Sequence, residues 1–311
     1  MKRVVILLNM GGVDNLSQVR VFLTNMFNDP YILGIKNRYL RAFVAWIITM
    51  MRLKPATQNY IQLGGKSALG DITRSLVAKL NTKFGFDNLI FDYAMNYTPP
   101  FASDTLAKYK DADEIILFPL YPHHSVTTIT SSLDSAKKAI DELEIGAKIS
   151  IIDYFYNNDK FNDIIIADII KSLGDTNARQ IDLIFSAHSL PQKVIDKGDL
   201  YERHLKDHLE ILKSKLNIAK LEFNSISLAY QSRLGPVKWL GPNLSEVLPN
   251  LPSKKALIYP ISFCIDNSET DFELAIEYKH IADENKFEFY KVVKAPNDSD
   301  EFAQFIAKSV I

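Results

Sequence analysis

A single cysteine, Cys264, stands in a chain of 311 residues. No intrachain disulfide can form, and a cysteine-only zinc or iron–sulfur site is excluded within one chain. An excess of charge of either sign is also lacking. The 36 lysines and arginines face 37 aspartates and glutamates, a net charge of -1, which gives no electrostatic case for nucleic acid as a partner. Long hydrophobic runs are missing. Val4 through Leu8 follows Lys2 and Arg3 as in an export signal, but it is too short and closes on Asn9-Met10-Gly11-Gly12, so it reads as a buried first strand. The stretch from Phe43 to Met51 is too short to cross a bilayer as a helix. Arg38, Arg41, Arg52 and Lys54 flank it, which suits a buried helix and a helix lying at a membrane surface about equally. Nucleotide signatures fail as well. Gly65-Lys66-Ser67 lacks the earlier glycine of a phosphate loop, its place being taken by Tyr60, and Gly11-Gly12-Val13 lacks the G-x-G-x-x-G spacing. Neither Ser186 nor Ser189 sits in G-x-S-x-G, and the histidines form no H-E-x-x-H pair. Adjacent His123 and His124 leave a metal role open.

What is present is the composition of a soluble globular protein, 47% hydrophobic and 23% charged, long enough for two domains. Short apolar, β-branched runs at residues 3–9, 89–95, 114–120, 147–154, 181–187, 225–230, 255–260 and 287–293 alternate with helical patterns at 70–84, 131–143, 162–173, 200–216, 270–284 and 300–310. Nearly continuous apolar strands between helices predict parallel sheets covered on both faces, an α/β class. The order of landmarks repeats. Tyr93 to Tyr230 and Pro119 to Pro260 keep nearly the same spacing, whereas Asn9 to Ala187 is longer. We therefore expect two similar α/β lobes, residues 1–146 and 147–311, with an apolar lip inserted at about 30–56 and a last helix at about 299–311 packing back on the first lobe. A cleft between two such lobes is a favoured ligand site.

Two stretches carry chemistry. Ile184-Phe185-Ser186-Ala187-His188-Ser189-Leu190-Pro191 is a strand that ends by presenting a histidine where α/β sheets open their ligand crevice. After the strand at 255–260 comes Asp266-Asn267-Ser268-Glu269, with Asp266 or Ser268 placed to cap a helix. Glu269, Glu273 and Glu277 recur every fourth residue and form one stripe on that helix, although like charges at this spacing repel. A solvated face is the ordinary reading of such a stripe. Its start at the carboxyl end of a strand, and the separate face left to Phe272, Leu274 and Ile276, favour a row of carboxylates that carries protons or guides a cation.

Six segments together resemble the ferrochelatases. They are Leu8-Asn9-Met10-Gly11-Gly12, Gly64-Gly65-Lys66-Ser67, Pro119-Leu120-Tyr121-Pro122-His123-His124-Ser125, Phe185 through Pro191, Tyr230-Gln231-Ser232-Arg233 through Trp239-Leu240-Gly241-Pro242, and Asp266 through Tyr278. The resemblance implies two Rossmann-like, chelatase-type lobes with parallel sheets flanked by helices and a porphyrin cleft between them. It implies that His188 and Glu269 are the catalytic pair and the groups that hold the metal. Glu273, Glu277 and Asp266 become a proton or metal path, and Met10, Ser67, Tyr97, Tyr121, Trp239 and Phe263 contact the porphyrin. Asn96, Asn267 and Ala68 stand where many members have arginine, histidine and proline, which puts propionate anchoring near Asn96 in doubt.

The reaction implied is insertion of Fe2+ into protoporphyrin IX to give protohaem with release of two protons, the last step of haem biosynthesis. A coproporphyrin-specific ferrochelatase, a cobalt or sirohaem chelatase, and a non-catalytic porphyrin or haem carrier are the alternatives. The resemblance further implies Fe2+ as substrate, no permanently bound cofactor and, without the cysteine-bearing extension of some members, no iron–sulfur cluster. We expect a cytoplasmic protein with peripheral contact at the inner membrane face, a monomer or weak dimer, and no nucleic-acid partner. Clamping and bending the macrocycle would turn its nitrogen lone pairs toward an incoming ion. Neutral His188 would accept one of the departing protons.

Overall fold

The computed structural model describes residues 1–86, 88–233 and 235–310. The chain divides into two compact units, each built on a four-stranded parallel sheet. The first unit holds residues 1–121, 125–154 and 298–311. It begins with strand β1 (Arg3–Asn9), whose Val4 to Leu8 are fully buried. Helices α1 (Val19–Phe27), α2 (Pro30–Leu33) and α3 (Arg38–Gln62) follow before α4 (Ala68–Phe84) returns the chain to strand β2 (Leu89–Met95). Polar caps start three of these helices. Asp29 accepts from the amide of Tyr31, Asn37 from those of Tyr39 and Leu40, and Ser67 from that of Leu69. Helix α5 (Ala102–Leu106), strand β3 (Glu114–Pro119), helix α6 (Ser131–Glu142) and strand β4 (Lys148–Ile151) complete the unit's run.

The second unit holds residues 122–124 and 155–297. Its elements are α7 (Asp159–Leu173), β5 (Asp182–His188), α8 (Gln192–Ile195), α9 (Tyr201–Ile218), β6 (Ser225–Gln231), α10 (Leu244–Val247), β7 (Lys255–Pro260), a π-helical segment Glu269–Glu277 running into α11 (Tyr278–Glu284), and β8 (Phe289–Val292). The last helix, α12 (Asp300–Val310), belongs to the first unit. There Phe305 meets the ring of Phe118 edge-on at 6.5 Å, and Lys79 and Lys83 hold Asp300 at 2.9 and 2.6 Å.

The sheets have the orders β2-β1-β3-β4 and β6-β5-β7-β8, the same pattern built twice. All pairings are parallel, which explains why their central strands are apolar on both faces. The α/β class and the doubled architecture expected from the landmarks are both present. One boundary differs. The segment expected to open the second lobe at residue 147 forms β4, which pairs with β3 from Glu114↔Lys148 to Leu117↔Ile151, so the first unit runs through Tyr154. Strand pairing set that boundary, and a run of apolar residues does not reveal its pairing partner.

The adjacent histidines are also resolved by packing. They lie in the turn after β3, and His123 is buried in the second unit. His208 Nε2 stands 2.7 Å from Asn162 Oδ1, and His208 Nδ1 stands 2.9 Å from His123 Nε2. The asparagine oxygen can only accept, so His208 Nε2 carries hydrogen, its Nδ1 accepts, and His123 donates. Tyr156 stacks on His123 at 5.7 Å. Burial pushes both imidazoles down, His208 to about 3 and His123 well below the ordinary value. This is a neutral structural pair, and among the described residues no group of three or more histidine, cysteine or acidic side chains is arranged to hold a metal.

Depressed histidines bind protons in the unfolded chain before they do so in the folded one, so their stabilisation is lost as pH falls below about 6.5. Between pH 7.5 and 5.5 the two sites together should cost about 3 kcal/mol. Urea unfolding of the wild type and of a His123→Phe/His208→Leu variant at both pH values should show the wild type losing that much more than the variant. Parallel losses would contradict the assignment.

Candidate active site

The second unit's sheet ends on its chemistry. His188 is the last residue of β5, the strand flanked by both β6 and β7. On the β7 side the chain leaves the sheet at Pro260 and turns through Phe263 and Asp266 to the acidic segment. Asn267 starts that segment. Its side-chain oxygen accepts the amide of Glu269 at 2.8 Å, so neither Asp266 nor Ser268 supplies the expected side-chain cap. From Glu269 to Glu277 the backbone is wound as a π-helix, a looser turn found mostly in short pieces at functional sites.

This brings Glu269 to His188, with Nδ1 standing 2.8 Å from Oε2. The same carboxylate oxygen takes the Ser232 hydroxyl at 2.8 Å and the Gln231 amide at 3.3 Å. Ser186 fixes the orientation of that amide by donating to Gln231 Oε1 at 2.6 Å. Burial favours the neutral form of Glu269, but the imidazole beside it and these donors outweigh burial and hold its carboxyl below the usual range. Burial likewise opposes charge on His188, and the Glu269 carboxylate outweighs it, raising the imidazole above its ordinary value. A carboxylate can only accept, so Nδ1 of His188 carries the hydrogen and Nε2 presents its lone pair.

Ser232 joins the second glutamate to this pair. Its backbone adopts φ +67°, a left-handed conformation uncommon outside glycine, asparagine and aspartate. In that conformation its amide donates to Glu273 Oε1 at 2.7 Å while its hydroxyl lies between Glu269 Oε2 and Glu273 Oε2. One hydroxyl hydrogen cannot serve two carboxylates. The contacts are all satisfied when Glu273 carries a proton and donates it to Ser232 Oγ, which in turn donates to Glu269. Burial and the charge of Glu269 push Glu273 up to about 7, in keeping with that arrangement. The stripe is graded in exposure, with Glu269 and Glu273 partly buried and Glu277 at the surface.

Asp266 is not brought to the pair. It is buried, accepts from the amide of Ala295 and the side chain of Asn297, and lies 3.3 Å from Lys294. Trp239 is near the chain after His188, since it bridges Pro191 while the Gln192 amide donates to Lys238 O and the Leu240 amide to Leu190 O. Trp239 Nε1 is buried without a hydrogen bond among the described residues. Phe263 is partly buried and follows Ser262, whose hydroxyl takes the His188 amide at 3.2 Å.

The remaining candidates lie in the first unit. Met10 and Tyr97 meet where β1 and β2 end, the Tyr97 amide donating to Met10 O at 2.9 Å. Gly11, at φ +97°, lets that turn close on Thr98, which any side chain would strike. Tyr97 is buried, its hydroxyl donating to Asp29 at 2.8 Å. Tyr121 is buried with its hydroxyl 3.1 Å from Ser132 Oγ, and the Ser67 hydroxyl oxygen accepts the Leu69 amide in capping α4. Asn96 donates to Ser131 at 2.8 Å. The residues that motif reading overlooked are Ser232 and Gln231. Both lie inside the Tyr230–Pro242 stretch, but nothing in their identity announces a positive φ or a bridging hydroxyl.

The sequence profile of the ferrochelatases matches residues 2–311. The chain belongs to the ferrochelatase family. Ferrochelatase of Campylobacter fetus subsp. fetus is 68% identical over 310 residues, covering 100% of this chain and 99% of that protein. The Campylobacter concisus ferrochelatase is 59% identical, with 98% and 96% covered, and that of Nitratiruptor sp. 47%, with 96% of each. Among solved structures, SirB from Bacillus subtilis with Fe3+ superposes with a TM-score of 0.58 at 9% identity, covering 100% of this chain and 94% of that one. CbiX, described as the terminal enzyme for biosynthesis of sirohaem in denitrifying bacteria, gives a TM-score of 0.52 at 12% identity, covering 100% and 98%. At such identities these two likenesses speak for the fold alone.

Because Glu273 gains its charge near pH 7, it becomes a proton acceptor only as pH rises through that value. The kcat of the ferrochelatase reaction should climb through about pH 7 in the wild type and lose that limb in Glu273→Gln. Superimposable pH profiles would contradict the role given to Glu273.

Proposed function

We propose that His188 and Glu269 are the groups at which a free-base porphyrin gives up its two N–H protons as ferrous iron enters. As a member of the ferrochelatase family this protein is a metal chelatase, and its reaction inserts Fe2+ into protoporphyrin in haem synthesis. The observation that carries the residue assignment is the 2.8 Å contact between His188 Nδ1 and Glu269 Oε2, which leaves Nε2 as the ring's basic atom.

A base works best with a pKa near the working pH. Glu269 raises His188 from the ordinary histidine value, so transfer of a porphyrin proton to Nε2 completes an ion pair rather than creating an isolated buried charge. The same lone pair is the histidine's donor to iron, so at any moment it serves one or the other. The second proton has an exit through Glu269, the Ser232 hydroxyl and Glu273, and then past the exposed Glu277. Each transfer along this line moves one hydrogen from donor to neighbour, and the serine oxygen passes one on as it receives one. Trp239 and Phe263, in the same unit as the pair, are assigned to the macrocycle, a large apolar ligand suited to such side chains.

Helix α3 supports a lipid contact. Its Tyr39, Leu40, Phe43, Trp46, Ile47 and Met50 are exposed and recur at helical spacing, and Trp46 alone is 57% exposed. Arg38, Arg52 and Lys54 are exposed on the same helix. None of the helices among the described residues is long and apolar enough to cross a membrane. An exposed apolar face on a helix that also carries exposed cations fits the surface of an anionic bilayer.

Two experiments test these assignments. Mixed anaerobically with Fe2+ and either protoporphyrin or coproporphyrin, the wild type should metallate protoporphyrin, and turnover of coproporphyrin alone would overturn that substrate. His188→Ala should lose at least about a hundredfold in kcat while keeping its fold, the lower end of the range for a general base. Near-normal turnover of His188→Ala would overturn the assignment. For the helix, a Phe43→Glu/Trp46→Glu variant should no longer co-sediment with phosphatidylglycerol vesicles, and added salt should weaken wild-type binding. Equal sedimentation of both proteins would remove α3 from the contact.

A further inference from the structure

His188 sits where the sheet runs out of partners. On one side its neighbour strand continues, and the Ser189 amide still donates to Gln231 O at 2.8 Å. On the other side the ladder with β7 ends at Ser186↔Pro260, where the Ile261 amide donates to Ser186 O at 3.0 Å. The N–H and C=O of His188 have no strand to pair with, and unpaired buried backbone groups are costly.

Two side chains take the missing strand's place. The His188 amide donates to Ser262 Oγ at 3.2 Å, and the Tyr201 hydroxyl donates to His188 O at 3.0 Å. The two hydroxyls stand 2.6 Å apart. Tyr201 spends its one hydrogen on the carbonyl, so Ser262 must donate to Tyr201. The result is a closed ring: His188 N–H to Ser262, Ser262 O–H to Tyr201, and Tyr201 O–H back to His188 C=O. Every donor has one acceptor and none is left over.

Tyr201 is itself fixed from behind. It is buried at the start of α9, where the Asp199 side chain accepts its amide at 2.9 Å. The ring of His123 meets it edge-on at 6.0 Å. His123 is in turn held by His208 and Asn162. The neutral histidine pair, which takes no part in the proton path, thus ends against the residue that closes the ring.

We propose that Tyr201 and Ser262 are positioning residues for the chelatase reaction, a hydroxyl ring that replaces the absent strand and sets the backbone from which His188 aims at the macrocycle. This rests on the reading of His188 as the reacting base. A displacement of about 1 Å at a reacting group costs on the order of a hundredfold. Loosening the ring should therefore act on the chemical step and leave porphyrin binding alone.

The test is a kinetic comparison of Tyr201→Phe, Ser262→Ala, the double variant and Ser262→Thr, with porphyrin KM, kcat and thermal unfolding recorded for each. Tyr201→Phe and Ser262→Ala should each lower kcat about tenfold or more with KM within twofold of wild type. Because the two act as one unit, the double variant should be little worse than either single change. Ser262→Thr keeps the hydroxyl and should restore most of kcat. Wild-type kcat in both single variants would overturn the ring's role, as would losses that follow the fall in thermal stability and are not rescued by threonine. Failure of the His188 assignment itself is distinguished by His188→Ala, whose activity would then be retained.

Discussion

The hydrogen bond from His188 Nδ1 to Glu269 Oε2 is the interaction on which the site depends. It fixes the tautomer of the imidazole and leaves Nε2 free to accept. It also decides which of two burial costs wins. Desolvation alone would discourage charge on both groups, yet each partner makes the other's charged form tolerable. Glu273 lies one hydroxyl away, and among the described residues no cation stands at contact distance from it. It pays for burial and for the charge of Glu269, and so it holds a proton near neutrality. Three groups on one line thus differ in proton affinity because their surroundings differ.

The fold's contribution is to supply two strand ends at that point. A parallel sheet leaves its carboxyl edge open, and the central strand of the β6-β5-β7-β8 order carries the histidine there. The neighbouring strand β7 leads into the π-helical segment that carries the carboxylates. The first unit has the same strand order, and Asn9 and Met10 stand at the end of β1, the strand that corresponds to β5. The duplicated plan therefore carries the His188–Glu269 hydrogen bond in the second unit and larger apolar and aromatic candidates, Met10 and Tyr97, in the first.

Much of this was legible from residue pattern. Residues 3–9, 89–95 and 255–260 read as strands and form strands with those limits, because buried parallel strands are continuous apolar runs with sharp polar ends. The pairing of β4 was not legible, since a parallel partner lies far along the chain. His188 and Glu269 were legible as strand-end and helix-start residues, and the structure brings them together. Asp266 shows the limit of reading a stripe from spacing: it is near Glu269 in sequence but faces Asn297 and Lys294. Ser232, Tyr201 and Ser262 were hidden because their placement follows from a left-handed backbone and from a strand that stops early. The adjacent histidines at 123–124 left a metal role open, and burial against His208 makes His123 a core residue.

The most direct measurement is the titration of His188 by NMR in protein labelled at its histidines, assigned with His188→Ala and compared between wild type and Glu269→Gln. With the carboxylate in place the His188 imidazole should titrate above the ordinary histidine value of about 6.5. In Glu269→Gln burial would act unopposed, and the same resonance should titrate below that value. A His188 titration that is unchanged by Glu269→Gln would contradict the charge-stabilised pair on which the account stands.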